Sequence, residues 1–150
     1  PAALYGRYKK SPRAEQDTLR TVIRDGFFTF VADSTGSKKK LAVTKAYIYP
    51  AKPYMAAFNR DQVIIIRFPH HNKEDIHIEH ALVEIFQQRS KLANEDLLEL
   101  EYQSAFQDMA PGETIQTREI WHVFPYSGDD KFNAHVAFLS AMESRLTPAI

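Results

Sequence analysis

The stretch that decides the fold is Asp61–Arg89, DQVIIIRFPHHNKEDIHIEHALVEIFQQR. It opens with QVIIIRF, a continuous apolar run of strand length, and such runs lie in the middle of sheets covered on both faces. NKED then reads as a helix start: Asn72 stands at the cap and Asp75 reaches back to it from three residues on. Ile78, Leu82, Ile85 and Phe86 recur at a spacing that gives a helix one apolar face. On this reading the stretch is a strand followed by a crossover helix.

The preceding segment reads the same way. In SPRAEQDTLRTVIRDGFFTFVADSTG, Ser11 suits an N-cap and Pro12 the first helical position, where a missing N–H costs nothing. Leu19, Val22, Ile23, Phe27, Phe30 and Val31 supply an apolar face, and the DSTG glycine ends the helix. A short strand, PAALYGRY, precedes it. LAVTKAYIYP follows, rich in β-branched and aromatic residues and stopped by Pro50 and Pro53. After the second helix, LLELEYQSAF alternates Leu98, Leu100 and Tyr102 on one side.

The predicted fold is therefore a single α/β (α+β) domain. Two βαβ units, 1–58 and 59–110, build a four-stranded sheet with two helices on one face, joined by right-handed crossovers. A C-terminal extension, 111–150, adds the loop MAPGETIQT, a strand in REIWHVFPY and a terminal helix with Phe132, Val136, Leu139 and Met142 facing inward.

Composition bounds the function. The 150 residues are 44% hydrophobic, with ten Phe and seven Tyr, which is the make-up of a folded domain with an ordinary core. Nineteen basic residues balance nineteen acidic ones, so the chain has no overall electrostatic preference for nucleic acid or an anionic membrane. The run Lys38–Lys40 reads as a solvated loop. Without cysteine there is no disulfide, thiolate nucleophile or Cys-based zinc site. No apolar run approaches the ~18 residues of a membrane span, and the charged N-terminus is unlike a signal peptide, so a soluble cytoplasmic protein is expected.

The first residue carries chemistry of its own. Pro1 offers a stiff secondary amine, and AALY after it is apolar enough to seat that amine in a dry pocket. Desolvation or neighbouring cations push an α-amine below its ordinary value near ~8, leaving it neutral and basic near pH 7.

A terminal proline ahead of a doubled βαβ pattern resembles the tautomerase superfamily, most closely its cis-3-chloroacrylic acid dehalogenase-like branch. DQVIIIRFPHHNKED is similar to that branch's third strand and the turn into its second helix. LANEDLLELEY is similar to its turn into the fourth strand, and REIWHVFPYSGDDKFN to its tail. The resemblance implies a Pro1-dependent tautomerase, or a related hydratase or dehalogenase, acting on small 2-oxo or unsaturated carboxylic acids without an external cofactor. It implies catalytic roles for Pro1, Glu119 and Tyr102, with His70 and Lys73 where the branch has two carboxylate-binding arginines. FTFVAD lacks the branch's first-helix histidine. The resemblance also implies a homotrimer, which covers the apolar sheet face that the helices leave open.

Other readings stand beside it. His77 and His80, three apart on a helix with His70 or His71 upstream, suggest a metal site, but their spacing matches no established zinc pattern, and none is assigned. An RNA-binding ferredoxin-like module needs a basic sheet face with exposed aromatics, which this composition disfavours. A superfamily member that has lost catalysis and serves a binding or structural role is the remaining alternative.

Overall fold

A computed structural model of the chain describes residues 21–30, 42–89 and 97–146. Pro1, the opening strand, the Ser11–Pro12 cap and the lysine run lie outside the described residues. The described part is built mainly from strands: β1 (Thr21–Arg24), β2 (Phe27–Phe30), β3 (Ala42–Ile48), β4 (Tyr54–Asn59), β5 (Gln62–Arg67), β6 (Val83–Arg89), β7 (Leu97–Tyr102) and β8 (Ile120–Pro125). The single α-helix among the described residues is α1, Phe132–Leu146. All strand pairings are antiparallel, in a β1–β2 hairpin and two three-stranded sheets ordered β3–β6–β7 and β4–β5–β8.

This corrects the predicted doubled βαβ fold, and two local readings account for the difference. Between TVIR and FFTF sits Asp25-Gly26, with φ of +52° and +79°. Both central residues in the left-handed region make a type I′ turn, whose twist suits a two-residue hairpin. Val22, Ile23, Phe27 and Phe30, read as part of one helical face, are therefore distributed over two paired strands, with Arg24 opposite Phe27, while Leu19 and Val31 lie outside the described residues. The second helix is replaced by a single 3-10 turn, Lys73–Asp75, followed by a strand. The local cap reading survives: the Asp75 carboxylate accepts the Asn72 N–H at 3.0 Å. The turn ends at Ile76, which adopts an extended conformation (φ −96°, ψ 140°), and Ile78 stands 85% exposed. Ile85 and Phe86, neighbours on the supposed helix face, are consecutive in β6 and point to opposite sides of the sheet.

The QVIIIR strand, β5, is central as its apolar run predicts, with β4 and β8 on its two sides. Val63 and Ile65 are fully buried on the face covered by Leu139, Leu146 and Phe138 of α1. Ile66 and Phe68 point the other way and pack against Ala46, Ile48 and Val83 of the second sheet and Leu82 just before β6. The molecule is thus layered as sheet, sheet and helix. Each fully buried aliphatic side chain contributes roughly 1.5–3 kcal/mol. Arg67, buried at the end of β5, donates from Nε to the Leu146 carbonyl at 3.0 Å. A guanidinium at the helix C-terminus meets the negative end of the helix dipole, which fastens α1 to the central strand. Both faces of β5 are covered within the chain.

No helix among the described residues is long and apolar enough to cross a membrane.

Two expectations follow from this packing. At Gly26 an added Cβ would meet nothing within 4 Å, so the cost of Gly26→Ala is torsional alone. It should lower stability by about 1–2 kcal/mol in a denaturant titration, with no change in m-value. His135 of α1 stacks on Phe58 at 3.8 Å and meets Tyr126 edge-on. Burial there draws its pKa below the usual 6.5, against an opposing pull from Asp130. Its folded-state value is therefore the lower one, and the contribution it makes is complete above about pH 6.5 and lost as the pH falls below that. The urea midpoint should accordingly decline from pH 7 to pH 5, and His135→Phe should flatten the decline.

Candidate functional site

Three strands carry charges among apolar and aromatic residues: Lys45 in AVTKAYI, Glu84 in VEIFQQR and Glu101 in LLELEY. In the β3–β6–β7 ladder Glu84 faces Glu101 directly, and Tyr47 faces Glu84 two residues on from Lys45. Strand alternation puts all three charges on the side of the sheet away from Val83 and Ile85. Two carboxylates directly opposite one another repel. Lys45 relieves this by bridging them, 2.6 Å from Glu84 Oε2 and 3.0 Å from Glu101.

Glu84 is completely buried. Its Oε1 accepts the Ala81 N–H at 3.1 Å and lies 2.8 Å from His80 Nδ1. Burial alone raises a carboxyl pKa, but the contacts with Lys45, His80 and Ala81 outweigh it and hold Glu84 below the ordinary carboxylate range. For Lys45, burial lowers the pKa while the two glutamates raise it, and the net shift is upward. Lysine and carboxylates thus stay charged together.

His80 sits at the mouth of this cluster with its side chain 44% exposed. A carboxylate on Nδ1 favours the neutral tautomer that carries its proton there and leaves the lone pair on Nε2. The Tyr49 hydroxyl donates to the His80 carbonyl at 3.1 Å and fixes the backbone at this point. The His77 ring lies 5.8 Å from that of His80 and 4.7 Å from that of Phe106. A half-exposed imidazole backed by a buried, charge-compensated carboxylate can accept a proton at Nε2 and stabilise the resulting imidazolium.

The residues expected from sequence are divided by the structure. Tyr102 and Glu119 are near one another: burial and the Glu119 charge raise the Tyr102 pKa, against a lowering contribution from Thr117. The Tyr102 hydroxyl lies 2.9 Å from His71 Nε2 and accepts from Thr117 Oγ1 at 3.4 Å, while its ring stacks on Phe68. Glu119 is exposed and accepts the Trp121 indole N–H at 2.8 Å. His70 is exposed, with Nε2 3.2 Å from the Pro50 carbonyl. Lys73 is exposed at the start of the 3-10 turn. Pro1 lies outside the described residues.

Glu84, Lys45 and Glu101 were not found by sequence reasoning, because a helix reading of 72–86 separates Glu84 from both strands that complete its cluster. The signal was present as charges embedded in three strand-like runs. Among the described residues no group of three or more His, Asp or Glu side chains is arranged to hold a metal ion, and the His77–His80 pair is joined by no third such ligand.

Neither the curated proteins nor the solved structures searched contain a match to the chain. Residues 6–124, which include β1 to β7 and most of β8, match the family described as Domain of unknown function (DUF4380). The match spans most of the sequence, and the chain belongs to the DUF4380 family.

Proposed function

We propose that this protein is an acid–base catalyst of the isomerase class, in which His80 shuttles a proton at a carbon next to a carbonyl and Glu84 positions the imidazole. The observation that carries the reading is a half-exposed His80 held by a fully buried Glu84 whose charge Lys45 compensates. The reaction class, keto–enol tautomerisation, is the one the sequence suggested, with the proton-transferring group now His80 in place of Pro1. His80 Nε2 takes the α-proton, Glu84 stabilises the imidazolium, and the same proton returns to the enolate oxygen or to carbon. The step requires no external oxidant or reductant. The cluster sets two carboxylates against one lysine, which disfavours an anionic substrate, so a small neutral 2-oxo compound fits better than a carboxylic acid.

A binding or structural role is the second reading, and the Glu84–Glu101 register favours it, since Lys45 ties three strands together there. The two readings separate by experiment. Exchange of α-protons in D2O, followed by NMR, should occur with the methyl ester of phenylpyruvate and more slowly with phenylpyruvate itself. His80→Gln, whose amide can still donate to Glu84, should abolish exchange with a smaller fall in the denaturation midpoint than Glu84→Gln causes, and Pro1→Ala should leave exchange intact. Glu84→Gln should slow exchange at least tenfold and also reduce stability. The stability loss should be smaller than the ~3–5 kcal/mol of stranding a fully buried charge, because Lys45 keeps Glu101. Exchange that survives His80→Gln but is lost in Pro1→Ala would return the chemistry to the N-terminal amine. No exchange with either substrate would leave the structural reading.

A further inference from the structure

On the opposite face of β6 from Glu84 lies a cavity of about 400 Å³. It is lined by Tyr54, Met55 and Ala56 of β4, which among the described residues pairs with β5 alone. Phe27, Phe28, Met55, Ile85, Leu100 and Leu139 supply apolar lining. A mostly apolar cavity of this size with a few polar groups is typical of a small-molecule site. Its charged lining among the described residues is Asp25, Lys52 and Glu143, and the Tyr54 and Ser140 side chains line it too.

The sign of the charge narrows the ligand. Lys52 and Glu143 are ion-paired, and both are substantially exposed. Such a pair contributes about 0–1 kcal/mol and is readily exchanged for another partner. The lining therefore has two acids and one base, and the unbalanced charge is negative. The field of Glu143 extends to the Tyr54 hydroxyl: burial and then that carboxylate push the Tyr54 pKa up to about 12. Tyr54 thus remains protonated and is a neutral hydrogen-bonding group.

We infer that this cavity binds a small hydrophobic primary amine, its ring or chain against the Phe27, Ile85 and Leu139 wall and its ammonium between Asp25 and Glu143. An ammonium brings the lining to neutrality, whereas a carboxylate doubles its excess charge. The inference is independent of the His80 chemistry, since the two sites use different faces of the sheet.

The test is a calorimetric or NMR titration of the full chain with three probes of similar shape: phenethylamine, 2-phenylethanol and 3-phenylpropionate. Phenethylamine should bind at least tenfold more tightly than the alcohol, and the carboxylate most weakly. The preference for the amine should shrink as salt is raised. Glu143→Gln, a surface change, should remove most of the tenfold preference while leaving the alcohol's affinity unchanged. Leu139→Trp, which fills the cavity, should abolish binding of both. His80→Gln should change none of these affinities. Phenylpropionate binding as tightly as phenethylamine, an amine preference that survives Glu143→Gln, or no binding of the amine would each overturn the assignment.

Discussion

The rest of the architecture depends on β5 being apolar on both faces. A strand that presents Val63 and Ile65 one way and Ile66 and Phe68 the other cannot lie at the surface of a two-layer protein. It needs an apolar cover on each side. The C-terminal helix supplies one, fastened by the Arg67 contact with its last carbonyl, and the β3–β6–β7 sheet supplies the other. Once that sheet is pressed against Ile66 and Phe68, its inner face must be apolar. Ala46, Ile48, Val83 and Ile85 satisfy this, and the alternating positions on the same strands are turned away from the core. Lys45, Glu84 and Glu101 occupy those positions. The charged cluster is thus placed by the same alternation that builds the core.

Much of this was legible at the level of single elements. The apolar run of β5, the β-branched and aromatic run of β3, the alternation of β7 and the face of α1 each named the element that forms. The helices failed for a physical reason. Val22, Ile23, Phe27 and Phe30 satisfy a 3.6-residue period, yet every residue from Thr21 to Phe30 except Arg24, Asp25 and Gly26 is β-branched or aromatic. With Asp-Gly at the centre, hairpin chemistry wins over an apolar periodicity that both conformations share. At Asn72–Asp75 the cap was read correctly, but a cap specifies only where a helix can begin. The chain that follows, from Val83, favours a strand, so the turn is not propagated.

The site was less legible than the fold because its members are distant in sequence and meet only through strand pairing. Tyr102 and Glu119 were chosen for positions in a βαβ frame and nevertheless lie close enough for the carboxylate to act on the phenol. Their proximity comes from a different topology, with Tyr102 ending β7 and Glu119 preceding β8. Proximity obtained this way carries no information about the role that the other frame would have given them. Glu84 shows the converse: its importance depends on register, and one residue of slippage would move it into the aliphatic core and Val83 out to the charges.

That register is itself enforced by the charges. Slippage would bury Glu84 against Ile66 and Phe68 without Lys45, at a cost of several kcal/mol for an uncompensated ion. The aliphatic side of β6 resists the same movement, because Val83 and Ile85 would lose their burial. The two faces of one strand therefore specify a single pairing from opposite directions, one by hydrophobic burial and one by ion pairing. A rigid strand held in this way can carry an imidazole partner on one face and a ligand cavity on the other without either depending on the mobility of a loop. His80, three residues before β6 begins, derives its orientation from Glu84. It is therefore the residue through which the fixed geometry of the sheet reaches solvent.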